Sequence, residues 1–308
     1  MPLADILRVV DFIRCSSSSV SAMPLHLPSE IDQITLDKDD YPVGHYPLGF
    51  IPFAEHQLGN GDYFGLYWPI GQEDREPIVA ETFHDEGTLQ PTHSSLAQFL
   101  AMSPEDGDDY PEAPTHQQDP LAPLGGYLEA RRLVGERHVE AAVELLQTVV
   151  QRLPEYTNAL GLLATQYLRL GRTEDACRTA VRAIVAPPSF GQAPLNIASW
   201  LAQHQEPPAD LQDDPVWLRR AELISIPSGG TKHGGAYAAL AEAIDAYIAQ
   251  DQVVPALTLM QSYSEFMNGE TRSFQERHSY DFRAWRQQQR ALSERLPHGP
   301  RHILYPDT

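Results

Sequence analysis

Three stretches of this sequence carry side chains that could bind a ligand or take part in catalysis. The first is the glycine-rich loop at residues 229–235, which holds Lys232 and leads into a predicted helix whose free N–H groups could bind an anion. The phosphate-binding P-loop requires G-x-x-x-x-G-K-[ST], and here Lys232 precedes the second pair of glycines. Because no strong strand comes before the loop, the sequence predicts a hinge between helices.

The second stretch is His84-Asp85-Glu86, which could form a metal site or an acid–base pair. A metal site needs three or four ligands at defined spacing, and no second cluster accompanies this one. The 12 histidines are scattered, without H-E-x-x-H or C-x-x-C. The sequence therefore predicts a polar turn, with no metal and no cofactor. Since a G-x-S-x-G elbow and a Cys/His pair are also absent, we expect a protein that is not an enzyme.

The third stretch consists of carboxylates that could contact a protein partner. Asp62 lies between Gly61 and Tyr63, where it could be a recognition carboxylate, although Asp at such a place more often supports a tight turn. Further along, an acidic run could contact a basic partner or could simply be solvated; it comprises Glu105, Asp106, Asp108 and Asp109. Both alternatives stay open for both sites.

Charge is distributed unevenly along the 308 residues, whose net charge is −20. Up to Pro120 there are 4 Lys or Arg against 21 Asp or Glu, a net charge of −17. So acidic a region repels phosphate backbones and disfavours nucleic acid as a partner, whereas it attracts basic proteins. Solubility alone would explain the same charge. No apolar run is long enough to cross a membrane, and the two cysteines do not make a disulfide framework, so we expect a cytoplasmic protein.

The first hundred residues predict a small α+β domain. Residues 4–14 have the spacing of a short amphipathic helix. Aromatic and β-branched runs between Gly and Asp turns then predict antiparallel strands near residues 50–53, 63–68 and 78–83, followed by a helix at 94–102. Alternation along the second strand places Tyr63 and Tyr67 on one face and Phe64, Leu66 and Trp68 on the other. One set must pack on the core, and alternation does not say which.

A proline-rich acidic segment predicts the domain boundary. Residues 103–123 contain this segment, so we expect one domain over residues 1–102 and a second over 124–308. The second domain shows an internal period of 34 residues, which relates four pairs: Ala130 and Ala164, Leu133 and Tyr167, Ala142 and Ala176, and Pro154 and Pro188. This period resembles that of tetratricopeptide repeats, and it implies an all-α array of helical hairpins.

Later helices are predicted at residues 195–204, 217–226, 236–250, 253–267 and 280–296. Tyr247 and Ala256 stand at places like those of the repeat. The last helix carries Phe282, Trp285 and Leu292 on one side and charge on the other, as a terminal cap would.

Residues 48–102 resemble the SUKH superfamily, which contains the Smi-like and Knr-like proteins. The resemblance rests on five short motifs: Ile51-Pro52-Phe53, Gly61-Asp62-Tyr63, Pro77-Ile78-Val79, His84-Asp85 and the helix at residues 95–100. It covers about the second half of such a domain. Many bacterial members are immunity proteins that bind and neutralise a toxin, so the resemblance implies binding and not catalysis.

Two functions follow as expectations. The first is an immunity protein whose acidic domain occludes a basic toxin domain, and the second is a tetratricopeptide scaffold for protein assembly. For the first we expect the contact residues to be Asp62, Tyr63, Tyr67, Trp68, Glu73, Asp74, Glu76, Asp85 and Glu86. The aromatic members would anchor the contact and the carboxylates would steer the encounter.

Overall fold

The structure is a computed structural model that describes residues 29–30, 47–55, 61–83, 85–103, 111–224 and 235–296. The chain divides into two compact units. Residues 1–125 together with 286–308 form the sheet unit, and residues 126–285 form the helical unit. A small antiparallel sheet followed by a helical region was predicted, and both are confirmed. The exact domain limits at 102 and 124 stay predictions. The helix predicted at residues 4–14 lies outside the described residues.

Within the described residues the sheet has four antiparallel strands in the order β1-β2-β3-β4. They are β1 (Phe50–Glu55), β2 (Tyr63–Tyr67), β3 (Ile78–Phe83) and β4 (Thr88–His93). Gly87 joins the last two strands at φ 62°, in the left-handed region that glycine adopts without strain. The sequence did not predict β4, because its residues TLQPTH are mostly polar and include a proline.

Both outer strands of the sheet carry a proline, Pro52 in β1 and Pro91 in β4. Proline has no N–H to donate, so it is tolerated at a sheet edge and discourages pairing with another chain there. In the neighbouring strand Gly65 is required by close approach, because an added Cβ would lie 2.4 Å from the Phe50 ring.

The core of the sheet unit lies between one sheet face and the helix α1 (Leu96–Met102). The side chain of Ser95 caps this helix by accepting the N–H of Gln98 at 3.2 Å. Apolar side chains from two strands and the helix fill the core: Phe64, Leu66, Trp68, Val79, Leu96 and Phe99. All five residues of β2 are buried, so the other face of the strand is covered as well.

The helical region contains ten α-helices within the described residues. They are α2 (Pro123–Gly135), α3 (Val139–Arg152), α4 (Thr157–Arg169), α5 (Thr173–Ala183), α6 (Leu195–Gln203), α7 (Pro215–Leu223), α8 (Ala236–Ala249), α9 (Val253–Asn268), α10 (Arg272–Arg277) and α11 (Phe282–Ser293). The predicted later helices fall within about three residues of α6 to α9 and α11, whereas the short α10 was not predicted. Among the described residues no helix is long and apolar enough to span a bilayer.

One turn geometry recurs between α2 and α3, α4 and α5, and α8 and α9. At each turn a single residue is left-handed, with φ of 67° at Arg137, 70° at Gly171 and 58° at Asp251. The next residue donates its N–H to a carbonyl five positions back at 2.9 Å, the three pairs being His138 to Leu133, Arg172 to Tyr167 and Gln252 to Tyr247. This is the Schellman arrangement, and it also ends α10 at Ser279.

A buried alanine follows each of the three turns at the same distance. Ala142, Ala176 and Ala256 each lie nine residues after the carbonyl that closes the turn, and none has measurable exposure. A side chain as small as alanine lets the two helices of a hairpin approach closely. In the first hairpin Gly126 serves the same end, because an added Cβ would lie 2.7 Å from Val149.

The helix α9 also contacts the segment that follows α5. Ser262 donates its hydroxyl to the carbonyl of Val185, and the carboxylate of Glu265 accepts the N–H and the hydroxyl of Ser189 at 2.8 and 3.1 Å. These hydrogen bonds join residues 76 or 77 positions apart. The helical unit is therefore held by contacts between distant segments as well as between neighbouring hairpins.

Candidate functional site

The predicted partner-binding residues lie at two opposite ends of the sheet. Because β2 and β3 are antiparallel, the segment after β2 leads to the start of β3, where Glu73, Asp74 and Glu76 lie. Asp62 precedes β2, and Asp85 follows β3, at the other end. A strand of six residues spans roughly 17–20 Å. The nine residues therefore do not form one patch.

Burial removes the aromatic members from any surface. Tyr67 and Trp68 have no measurable exposure and Tyr63 has 9%. The sequence left open which face of β2 packs on a core, and the structure shows that both do. An aromatic side chain that is already buried cannot anchor a partner without opening the domain, so these three residues belong to the core.

Two of the predicted carboxylates are also buried. Glu73 is 1% exposed, and its carboxylate accepts the N–H of Gly71 at 3.0 Å, which holds the turn between β2 and β3. Asp62 is 8% exposed at the entry to β2, where the next N–H, that of Tyr63, donates to the hydroxyl of Thr82. The positions of both fit the turn-forming role of acidic residues better than a recognition role.

The accessible acidic residues are therefore fewer than predicted. Asp74 is exposed and Glu76 half-buried at one end of the sheet, while Asp85 and Glu86 are exposed at the other. His84, residues 229–234 of the glycine-rich loop and the acidic run at 105–109 lie outside the described residues. In the described part of the chain, no group of three or more His, Cys, Asp or Glu is arranged to hold a metal ion.

A buried polar cluster at the end of β4 was not predicted. His93 has no measurable exposure, its Nδ1 lies 3.0 Å from the hydroxyl of Thr92, and its ring meets the Phe99 ring edge-on at 5.2 Å. The carboxylate of Asp119, 2% exposed, accepts the N–H of Ser94 at 2.8 Å. Twenty-five residues separate these last two partners, and the sequence carries no signal for their pairing.

Burial lowers the pKa of His93 to about 4, and the negative charge of Asp119 only partly offsets that effect. The imidazole is therefore neutral at pH 7. It cannot act as an acid–base catalyst toward an outside substrate while it stays buried, since a catalytic base must reach the proton that it removes.

The helical unit offers an exposed stripe on α2. Leu128 is 49% exposed, and Arg131 is exposed with its guanidinium 5.8 Å from the Tyr127 ring. Positions three and four apart on a helix are neighbours, so these side chains form one continuous stripe. The Tyr127 ring is backed by that of Tyr156 at 5.4 Å, which fixes the stripe on a packed support.

Comparison with known proteins places the chain in a family. The YfbP N-terminal domain model matches residues 36–112 and the YfbP C-terminal domain model matches residues 228–301. A protein of Escherichia coli (strain K12) described as "Uncharacterized protein YfbP" is 35% identical over 247 residues, which cover 80% of this chain and 87% of that protein. The chain belongs to the YfbP family. No solved structure is significantly similar to it.

The two YfbP domain matches fall on different parts of the fold. The N-terminal match contains the whole sheet and α1, and the C-terminal match contains α8 to α11. Helices α2 to α7, with the first two hairpins and the α2 stripe, lie between the two matches. The recurring turn at Asp251 brings the same hairpin geometry into the YfbP C-terminal domain.

Proposed function

We propose that the chain is a protein-binding scaffold without catalytic activity, and that its helical unit is a tetratricopeptide-like array. The observation that carries this proposal is the recurrence of one hairpin three times, with the same left-handed turn and the same buried alanine. Repeated hairpins of this kind stack to build extended surfaces, and such surfaces bind proteins in repeat families.

The residues inside the hairpins support the tetratricopeptide likeness. The repeat pattern places a large residue late in the first helix, a small residue early in the second and a proline after it. The second hairpin has all three, as Tyr167, Ala176 and Pro188. The third departs at the last position, where Asn268 stands 80 residues after Pro188 and ends α9. The first hairpin has Leu133 where the second has Tyr167, and Arg137 where the second has Gly171, so the likeness is fullest in the second hairpin.

The α2 stripe of Tyr127, Leu128 and Arg131 is the proposed contact surface. The stripe offers an arginine on an aromatic ring, and both residue types are enriched at protein contacts, while the exposed leucine beside them adds apolar area. The partner that fits it is a peptide or protein surface with apolar and acidic side chains. Because the two cysteines do not make a disulfide framework, we also propose that the scaffold acts in the reducing environment of the cytoplasm.

Affinity capture with the full chain tests this surface. The parent is compared with a Leu128→Glu/Arg131→Glu variant and with Leu218→Glu, a matched control at another exposed leucine, on α7. Proteins that bind through the stripe should be retained by the parent and the control and reduced at least tenfold by the double variant. Identical captured sets for all three chains would rule the stripe out.

A second proposal is neutralisation of a toxin by a SUKH-like sheet unit. The exposed Asp85 and Glu86 and the charge of −17 up to Pro120 favour it, because they would attract a basic toxin domain. The contact would be mainly electrostatic, since the aromatic side chains once expected there are buried.

Co-expression with a toxin encoded beside this chain tests the second proposal. Asp85→Lys/Glu86→Lys should abolish rescue of the cells, while the reversal Asp74→Lys/Glu76→Lys at the other end of the sheet should preserve it. Both variants keep the full chain, because residues 286–308 belong to the same compact unit as the sheet. Rescue that neither variant changes, or the absence of any rescue, would reject this function.

A further inference from the structure

The end of β4 is joined to the chain segment that leads into the helical region. The Ser94 N–H donates to one carboxylate oxygen of Asp119 at 2.8 Å, and the Leu121 N–H donates to the other at 3.3 Å. The backbone N–H of Asp119 donates to the carbonyl of Thr115, so the carboxylate is held in a turn of its own. Asp119 thus fastens residues 115–121 to the corner between β4 and α1.

The neighbouring histidine has one defined protonation state in this arrangement. The hydroxyl of Thr92 donates its proton to the carbonyl of Val79, so it accepts a hydrogen bond from Nδ1 of His93. The proton is therefore on Nδ1 and Nε2 carries a lone pair. Within the described part of the chain Nε2 has no hydrogen-bond partner, and the whole side chain is buried.

A proton added to Nε2 would place a cation where none of the described residues accepts its hydrogen bond. The ring packs on Phe99 of α1, a helix whose seven residues carry no charge. From β3 the paired residue is Val79, and Glu81 lies two positions further along that strand. The charge that acts on the imidazole is that of Asp119, in the turn before α2.

We infer that His93 and Asp119 form an acid-sensitive latch, in which protonation of His93 opens the β4–α1 corner and releases residues 115–121 from the sheet. A buried cation without a hydrogen-bond acceptor is unstable, so protonation favours conformations in which the ring reaches water. Opening the corner displaces Ser94 and breaks its hydrogen bond to Asp119. Acidification is thereby coupled to the segment that connects the sheet with the helices.

The sign of the effect follows from the pKa of His93. Burial lowers that pKa from 6.5 to about 4, so the open state binds the proton more readily than the closed state. The contribution of His93 to the stability of the closed corner is full above about pH 6.5 and is lost as the pH falls toward 4. By linkage, the opening equilibrium should rise about 30-fold between pH 7.5 and pH 5.0.

Hydrogen–deuterium exchange of the full chain, corrected for the intrinsic pH dependence of exchange, tests the latch. Between pH 7.5 and 5.0 the opening of residues 88–102 and 115–121 should increase together, by about 30-fold, while α4 and α5 should not change. His93→Gln should remove this response. His116→Gln is the matched control at a histidine on the Asp119 turn and should keep it.

Two outcomes overturn the inference. One is an acid response in His93→Gln as large as in the parent, and the other is opening of residues 115–121 while residues 88–102 stay closed. Should the variant fail to fold, the pKa of His93 in the parent, measured by NMR, decides the matter. A value near 6.5 in the folded chain would reject the latch, and so would a value near 4 without joint acid opening of residues 88–102 and 115–121 in the parent. A value near 4 together with that joint opening would support it.

Discussion

Residue patterns in the sequence predicted the structure of the helical unit in more detail than that of the sheet unit. In the helical unit a residue pattern with a period of 34 leads to hairpins whose turns coincide to within 3° of φ at Arg137 and Gly171. In the sheet unit the alternation of aromatic residues along β2 did not predict which face of the strand packs on the core, and in the structure both faces are buried. A repeat fixes which residues are equivalent, whereas alternation within a single strand says nothing of what covers it.

The largest effect should come from a side chain that the sequence offered as a contact anchor. Trp68 has no measurable exposure in the sheet core, so Trp68→Ala should lower the free energy of unfolding by about 3–5 kcal/mol. Chemical denaturation measures it. The control Glu112→Ala, at an exposed residue of the same unit, should stay within about 0.5 kcal/mol of the parent. A Trp68→Ala variant as stable as the parent would contradict the assignment of Trp68 to the core.

The sequence predicted secondary-structure elements better than hydrogen bonds between distant residues. Helices with regular spacing were located to within a few residues, because burial of one helix face leaves a period in the sequence. The strand β4 was missed because its residues TLQPTH are mostly polar and include a proline, so they show no apolar alternation. The pairing of Ser94 with Asp119 left no trace, because a hydrogen bond between distant segments depends on tertiary structure alone.

A large side chain should destabilise the protein at a buried alanine of the repeat but not at an exposed alanine nearby. Ala176 is fully buried at the start of α5, so Ala176→Phe should destabilise the chain by about 1–3 kcal/mol or more. Ala141→Phe is the control, since Ala141 is exposed on α3 beside the equivalent buried Ala142. Thermal melts compare the two. Equal melting temperatures would mean that the small residue is not needed for helix packing.

An effect of similar size, without the larger losses that overpacking can cause, is expected where the third hairpin contacts α7. The hydroxyl of Tyr247 donates to Asp214 at 2.6 Å, and the same carboxylate caps α7 by accepting the N–H of Trp217. Burial and this carboxylate raise the pKa of Tyr247 above its usual range, so the hydroxyl keeps its proton. Tyr247→Phe should therefore destabilise by about 1.5–3 kcal/mol, as for hydrogen bonds to charged groups.

Tyr167 provides the matched control for that substitution. It occupies the equivalent place in the second hairpin, but its hydroxyl accepts a hydrogen bond from the neutral amide of Gln147. Tyr167→Phe should lower the free energy of unfolding by about 1 kcal/mol at most. If the two variants are equally destabilised, the charge of Asp214 adds nothing to its hydrogen bond.

The smallest effect should come from exchanging residues between equivalent turns. Arg137 adopts φ 67° and Gly171 φ 70°, a conformation that costs a non-glycine residue about 1–2 kcal/mol. An added Cβ at Gly171 would meet no atom within 4 Å, so the effect there is purely one of backbone conformation. Gly171→Arg should destabilise the chain by about 1 kcal/mol, and Arg137→Gly should stabilise it by somewhat less, because glycine gains entropy in the unfolded chain.

Denaturation of the two variants and of the double exchange measures the balance. Since the turns lie 34 residues apart and share one geometry, the double exchange should come close to the parent. Effects of the same sign in both single variants would show that the two turns are not equivalent, and the repeat would then be one of spacing alone.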